Sequence, residues 1–171
     1  MDDALPASAQ NVHDALAAAS VAAAAGVRQL PVAARTAAEA AQALGCEVGA
    51  IANSLIFMAD DAPLLVMTSG AHRVAVDALA LSLGKTQIRR AKPGEVRAAT
   101  GQAIGGIAPI GHPAPIETIV DEDLQRYERI WAAAGTPHAV FPTTFKELLR
   151  LTNGTSMPVA DAPVDLAERL G

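Results

Sequence analysis

Two apolar runs separated by a four-residue polar break limit what this chain can become. Glu47-Val-Gly-Ala-Ile-Ala-Asn-Ser-Leu-Ile-Phe-Met58 is rich in strand-forming residues, and Leu64 to Thr68 is a second, shorter run. Between them, Asp60-Asp61-Ala62-Pro63 has the composition of a turn. The pair predicts a hairpin, with Gly49 a candidate bulge. The flanking segments read as helices. Asn11–Ala25 is Ala-rich and stops at Gly26; Thr36-Ala-Ala-Glu39 and Thr144-Phe-Lys-Glu147 are capping boxes; Val74–Leu83 ends before Gly84. Pro93 suits the first turn of a helix running to about Thr100. Further extended segments are expected at Val27–Val32, Gln87–Arg89, Ile116–Val120, Tyr127–Ala133, Ala139–Phe141 and Met157–Ala160. Strands and helices alternate without a βαβ rhythm. The expected class is therefore α/β of the α+β kind: a mixed, mostly antiparallel sheet with flanking helices.

The 171 residues suit one domain over 1–171, with 1–26 an N-terminal helical extension. Apolar residues make up 51% and aromatics only 3%, so the core is expected to consist of Ala, Val, Leu and Ile. The most apolar stretch, Ala15–Val27, is short of the roughly 20 residues of a spanning helix. The acidic start Met1-Asp2-Asp3 lacks the basic region of a secretory signal, and the single Cys46 excludes an internal disulfide. These features point to the cytoplasm and to no membrane partner.

The net charge of −5 opposes a nucleic-acid partner, but the basic residues are unevenly placed. Residues 72–97 carry six (Arg73, Lys85, Arg89, Arg90, Lys92, Arg97) against Asp77 and Glu95. That stretch is either a solvated surface or a local phosphate-contacting patch.

Several chemistries find no motif. His13, His72, His112 and His138 are far apart, with no helical zinc spacing, so neither a metal nor a cofactor is expected. Ser69-Gly70 lacks a nucleophile elbow, and no P-loop occurs. What remains is Gly105-Gly-Ile-Ala-Pro109. Glycines let backbone amides turn toward a ligand, and proline stiffens the loop. An ordinary tight turn has the same composition.

That loop resembles the Gly-x-x-x-Pro loop of the YbaK/prolyl-tRNA-synthetase-associated aminoacyl-tRNA editing domains. It lies in family order behind Glu47–Phe57 and Leu64–Gly70, similar to the family's first two strands, and Glu95–Gly101, similar to the preceding helix. The resemblance spans from about residue 30 to about residue 160. It implies a YbaK-like, barrel-like mixed sheet. It also implies a stand-alone hydrolase that deacylates mischarged tRNA, such as alanyl- or cysteinyl-tRNA(Pro), by metal-independent attack of water. The acceptor end of tRNA would be the partner, with prolyl-tRNA synthetase or another synthetase as a further one. By the same match, Asn53, Gly105, Gly106 and His138 are the expected catalytic residues. Ser54, Ile107, Ala108 and Pro109 would bind the substrate, and Arg73, Lys85, Arg89, Arg90 and Lys92 the tRNA. The family usually has Lys where this chain has Asn53, before Ser54. An uncharged amide there implies either a changed substrate or a binding module without turnover. His112 and His72 are secondary candidates for the cleft and for RNA contact. Cys46 is read as packing.

Overall fold

The computed structural model describes residues 7–19, 24–34, 36–102 and 105–160. Among these, five α-helices flank one eight-stranded sheet. The helices are α1 (Ala7–Ala19), α2 (Ala37–Leu44), α3 (Val76–Leu83), α4 (Pro93–Thr100) and α5 (Phe145–Thr152). The strands are β1 (Arg28–Gln29), β2 (Ile51–Ala59), β3 (Ala62–Ser69), β4 (Ile88–Arg90), β5 (Glu117–Asp121), β6 (Ile130–Ala133), β7 (Ala139–Thr143) and β8 (Thr155–Met157). Residues 20–23 of the expected Ala-rich segment and residues 103–104 before Gly105 lie outside the described residues.

The expected hairpin is the centre of the sheet. β2 and β3 pair antiparallel from Ala52↔Ser69 to Ala59↔Ala62. Asp60 and Asp61 make the turn with φ of 47° and 67°, the doubly positive geometry of a type I′ hairpin turn. The Asp60 carboxylate accepts the Thr86 and Gln87 N–H groups, which hold it below the usual carboxylate range and tie the turn to the approach of β4. Thr36 and Thr144 cap α2 and α5 by accepting the N–H of Glu39 and Glu147. Gly84 and Gly101 close α3 and α4 in the left-handed conformation.

The strand order is β1-β7-β6-β2-β3-β5-β8, with β4 paired to β2 off this path. Pairs β1–β7, β6–β7, β2–β3 and β2–β4 are antiparallel; β2–β6, β3–β5 and β5–β8 are parallel. The sheet is mixed, as expected, but it runs open from β1 to β8. The barrel-like expectation is corrected on that point. Gly49 is not a bulge, because the β2–β3 register is one-to-one; it lies in a 3₁₀ turn (Val48–Ala50) against the Tyr127 ring.

Alternation along the strands divides the core. Ala52, Ile56, Leu65, Met67, Val120 and Ala132 face α1, α4 and α5, where Val12, Leu16, Val96 and Leu148 are buried. The helix α1 is thus part of the main core. Phe57, Leu64, Val66 and Ile119 face Leu79 of α3, and Ile51, Trp131 and Val140 face Ala40 and Ala41 of α2. No helix among the described residues is long and apolar enough to cross a membrane.

Candidate active site

One edge of β2 is shared by two strands that do not meet. β6 pairs with Ile51 and Ala52, and β4 pairs with Phe57 to Ala59. A cavity of about 230 Å³ opens in the gap. Its walls include Asn53, Ser54, Leu55 and Ile56 of β2, Ala37 and Ala40 of α2, Trp131 and Ala133 of β6, and Gly105, Gly106 and Ile107. Sites that enclose drug-sized ligands run to roughly 300–1,000 Å³. This one is smaller than that range. Arg28 stacks on Trp131 with 5.1 Å to the ring centroid, backing that wall.

The Gly-Gly loop has its shape because a side chain does not fit. Gly106 has φ of 140°, and a Cβ there would collide with the Thr136–Pro137 backbone. Its carbonyl accepts the Gly135 N–H at 2.9 Å. Further along, Ala108 is held at both ends. Its N–H donates to Gln102 Oε1 at 2.8 Å, and its carbonyl lies 2.8 Å from His112 Nε2. Gln102 is 5% exposed. Burial pushes the His112 imidazole below its ordinary range. Sequence reasoning passed over Gln102. Its only signal was a polar residue directly after the helix stop Gly101, and loops are full of those.

Of the expected catalytic residues, the structure brings Asn53, Gly105 and Gly106 to the cavity. His138 is not among the lining residues: its neighbours Pro137 and Ala139 line the wall, while the histidine is exposed. Of the substrate residues, Ser54 and Ile107 line the cavity. Ala108 and Pro109 do not; Ala108 is buried behind the loop, and Pro109 borders a second, shallower depression with His112. The Ser54 hydroxyl donates to Met67 Sδ at 3.1 Å, so its side chain is engaged with the core.

The basic residues also separate. Arg90 is the one charged residue among the described lining residues. Arg89 forms a two-pronged pair with Glu95 at 2.8 and 2.9 Å. That pair, with the Lys92 N–H, holds the Glu95 carboxyl down to about 2, and it raises the Arg89 guanidinium. Lys85 is 3.7 Å from Glu117. Arg73 and Lys92 are exposed. Of the residues expected to meet tRNA, Arg89 thus has its guanidinium fork engaged by Glu95.

His72 is not free for RNA. Its Nδ1 is 2.8 Å from buried Asp121 and its Nε2 is 3.1 Å from Asp123. Asp121 also accepts the Ser69 N–H at 3.0 Å. The three side chains are close enough to hold a cation. A metal would use one imidazole nitrogen, however, whereas here each nitrogen meets its own carboxylate, so the cluster is a clasp between strand ends. Burial raises the Cys46 thiol, which fits packing.

Comparison with known proteins agrees with this layout. The profile of the family "Aminoacyl-tRNA editing domain" matches residues 31–151. A Bacillus subtilis (strain 168) protein, YwhH, described as uncharacterized, is 28% identical over 123 residues, covering 71% of this chain and 78% of its own. The Enterococcus faecalis protein EbsC, described as a candidate Cys-tRNA(Pro)/Cys-tRNA(Cys) deacylase, is 28% identical over 115 residues, 67% of this chain and 70% of its own. A crystal structure described as a candidate trans-editing enzyme for prolyl-tRNA synthetase superposes with a TM-score of 0.86 at 41% identity, covering 93% of this chain and all of that one. With the family profile spanning the central strands, the gap and the Gly-Gly loop, this chain belongs to the aminoacyl-tRNA editing domain family.

Proposed function

We propose that the protein is a trans-editing hydrolase that deacylates tRNA carrying a small, wrong amino acid, first of all tRNA(Pro), in the cytoplasm. The observation that carries this reading is the cavity itself: small, walled by alanines, Trp131 and the Gly-Gly loop, with Arg90 the one charged residue among its described lining, at an exposed position. The aminoacyl group enters and the terminal nucleotide stays outside, its phosphate meeting Arg90 and the exposed Lys92 and Arg73. No carboxylate and no histidine lines the cavity among the described residues. Attack therefore relies on a positioned water, with the terminal ribose hydroxyl as the nearest proton acceptor the substrate itself brings. Backbone amides stabilise the charge that forms on the carbonyl oxygen. No metal is required by this scheme. The partner is the acceptor end of aminoacyl-tRNA, and a synthetase such as prolyl-tRNA synthetase is a natural second one.

Selectivity follows from size. One methylene in an apolar pocket discriminates by about 10- to 200-fold. A panel of alanyl-, cysteinyl-, seryl-, threonyl- and 2-aminobutyryl-tRNA tests the reading: hydrolysis concentrated on the smallest members is expected, and none on any member would end it. A second reading, binding without turnover, is favoured by Asn53, which places an uncharged amide in the wall. Asn53→Lys separates the two. A large gain from an inactive parent supports the binding module, whereas loss or a switch of substrate in an active parent supports a specialised hydrolase.

A further inference from the structure

A β-strand must find a partner for each of its peptide groups, and among the described residues one residue of β2 in the cavity wall has none on its outer edge. The β2–β3 register is unbroken, and the Ile51 carbonyl accepts the Gly70 N–H from the β3 side. Residues 51, 53, 55, 57 and 59 therefore direct their N–H and C=O toward β3, and residues 52, 54, 56 and 58 toward the opposite edge. On that edge Ala52 pairs with β6, Met58 pairs with Arg89 of β4, and the Ile56 carbonyl accepts the Ala91 N–H. Ser54 lies between them. The β6 register has already ended. Continuing two residues beyond the Ile56–Ala91 bond reaches Pro93, which has no N–H and begins α4. Among the described residues, neither the N–H nor the C=O of Ser54 has a backbone partner on this edge, and Ser54 lines the cavity.

We propose that the main chain of Ser54 holds the aminoacyl group of the substrate as a one-residue antiparallel pair. This rests on the deacylase reading above and says how that site recognises its ligand. Two residues in a hydrogen-bonded antiparallel pair exchange both N–H···O bonds. An aminoacyl ester carries a donor and an acceptor at that same spacing: its α-ammonium donates to the Ser54 carbonyl, and its ester carbonyl accepts from the Ser54 N–H. The second bond strengthens during reaction. Water adds its oxygen to the carbonyl carbon, the carbonyl oxygen gains charge against the Ser54 N–H, and the bond to the ribose oxygen then breaks. One proton from the water ends on that ribose oxygen, giving a free amino acid and a free hydroxyl. Paired residues also put their side chains on one face. The substrate side chain is thereby directed to the Ser54 face, toward Val96 and Ile107, both of which line the cavity.

The ligand class this edge selects is an acyl group with a free α-amino group. Titration of ¹⁵N-labelled protein with 3′-alanylamino-3′-deoxyadenosine, which cannot be hydrolysed, tests it directly. The expected result is a shifted Ser54 amide resonance with slowed hydrogen exchange. The N-acetyl and lactyl counterparts should bind more weakly by about 10- to 150-fold, the worth of one charge-assisted hydrogen bond. The same ranking is expected for kcat/KM on alanyl-, N-acetylalanyl- and lactyl-tRNA. An unmoved Ser54 amide on binding, equal affinity for the N-acetyl compound, or no binding of the alanyl compound overturns the proposal. If alanyl-tRNA is hydrolysed in that case, the deacylase reading survives without it. Protection of Ser54 without hydrolysis supports the pairing and removes the deacylase reading instead.

Discussion

Replacing Gly106 by alanine tests whether the loop is shaped by necessity. The residue has φ of 140°, and its Cβ would come far inside contact distance of Thr136 C and O and of Pro137 N. Backbone in that region costs a non-glycine residue about 1–3 kcal/mol. Forcing an atom into packed backbone adds about 1–3 kcal/mol more, because the obstacle is main chain rather than a flexible side-chain end. Relief requires Gly106 to move off Thr136, which also loosens the bond from the Gly135 N–H. The expected loss is about 2–6 kcal/mol, equivalent to a fall in Tm of roughly 4–24 °C for a chain of this size. Gly105→Ala is the matched control. Its φ of 97° is also unfavourable for alanine, but its Cβ would meet only Pro137 Cγ at 3.8 Å. It should lose about 1–3 kcal/mol. Thermal denaturation and deacylation of alanyl-tRNA(Pro) report both effects. Gly106→Ala with wild-type Tm and kcat/KM, or a larger loss in Gly105→Ala, would refute the reasoning.

Gln102→Leu removes both the acceptor for the buried Ala108 N–H and the donor to the Ile110 carbonyl, and should lower stability by about 1–3 kcal/mol together with kcat; a wild-type Tm in that variant would contradict this. The Glu95 carboxyl, held down to about 2 by Arg89 and the Lys92 N–H, contributes stability that is complete above its unfolded value near 4.3. That contribution is lost as pH falls from there through about 2; a carbon-13 titration of Glu95 that centres near 4.3 in the folded protein would contradict this. Because His138 lies outside the cavity, His138→Ala should leave the pH profile of kcat/KM unchanged, and an inflection that disappears in the variant would return that residue to the reaction.

The parts of the fold visible in the sequence are those whose physics is local. The Thr36 and Thr144 caps, the left-handed Gly84 and Gly101, Pro93 at the head of α4 and the Asp60–Asp61 turn each depend on residues within four positions. The strand order is different. Nothing near Asn53 signals that β6 would cover one end of β2 and β4 the other, yet that division makes the cavity. The same limit explains the site residues. Gly105 and Gly106 stand out by backbone freedom alone, whereas Arg89 looked like an RNA contact because its partner Glu95 is reached only through the turn from β4 into α4. His138 is expected in the pocket only from the family match, and nothing in the sequence around it signals that Pro137 and Ala139 line the wall while the histidine is exposed. Ser54 is expected at the site from the family match, but its hydroxyl is engaged by Met67, and the main-chain groups left to it are ones that every residue has and that no sequence pattern marks.

The gap in β2 is proposed to accept small aminoacyl groups for hydrolysis. The most direct test is the ratio of kcat/KM for alanyl-tRNA(Pro) and prolyl-tRNA(Pro), the same RNA differing only in the acyl group. A cavity of about 230 Å³ walled by alanines and Trp131 predicts a ratio well above tenfold in favour of alanine. Equal rates, or faster removal of proline, would contradict it.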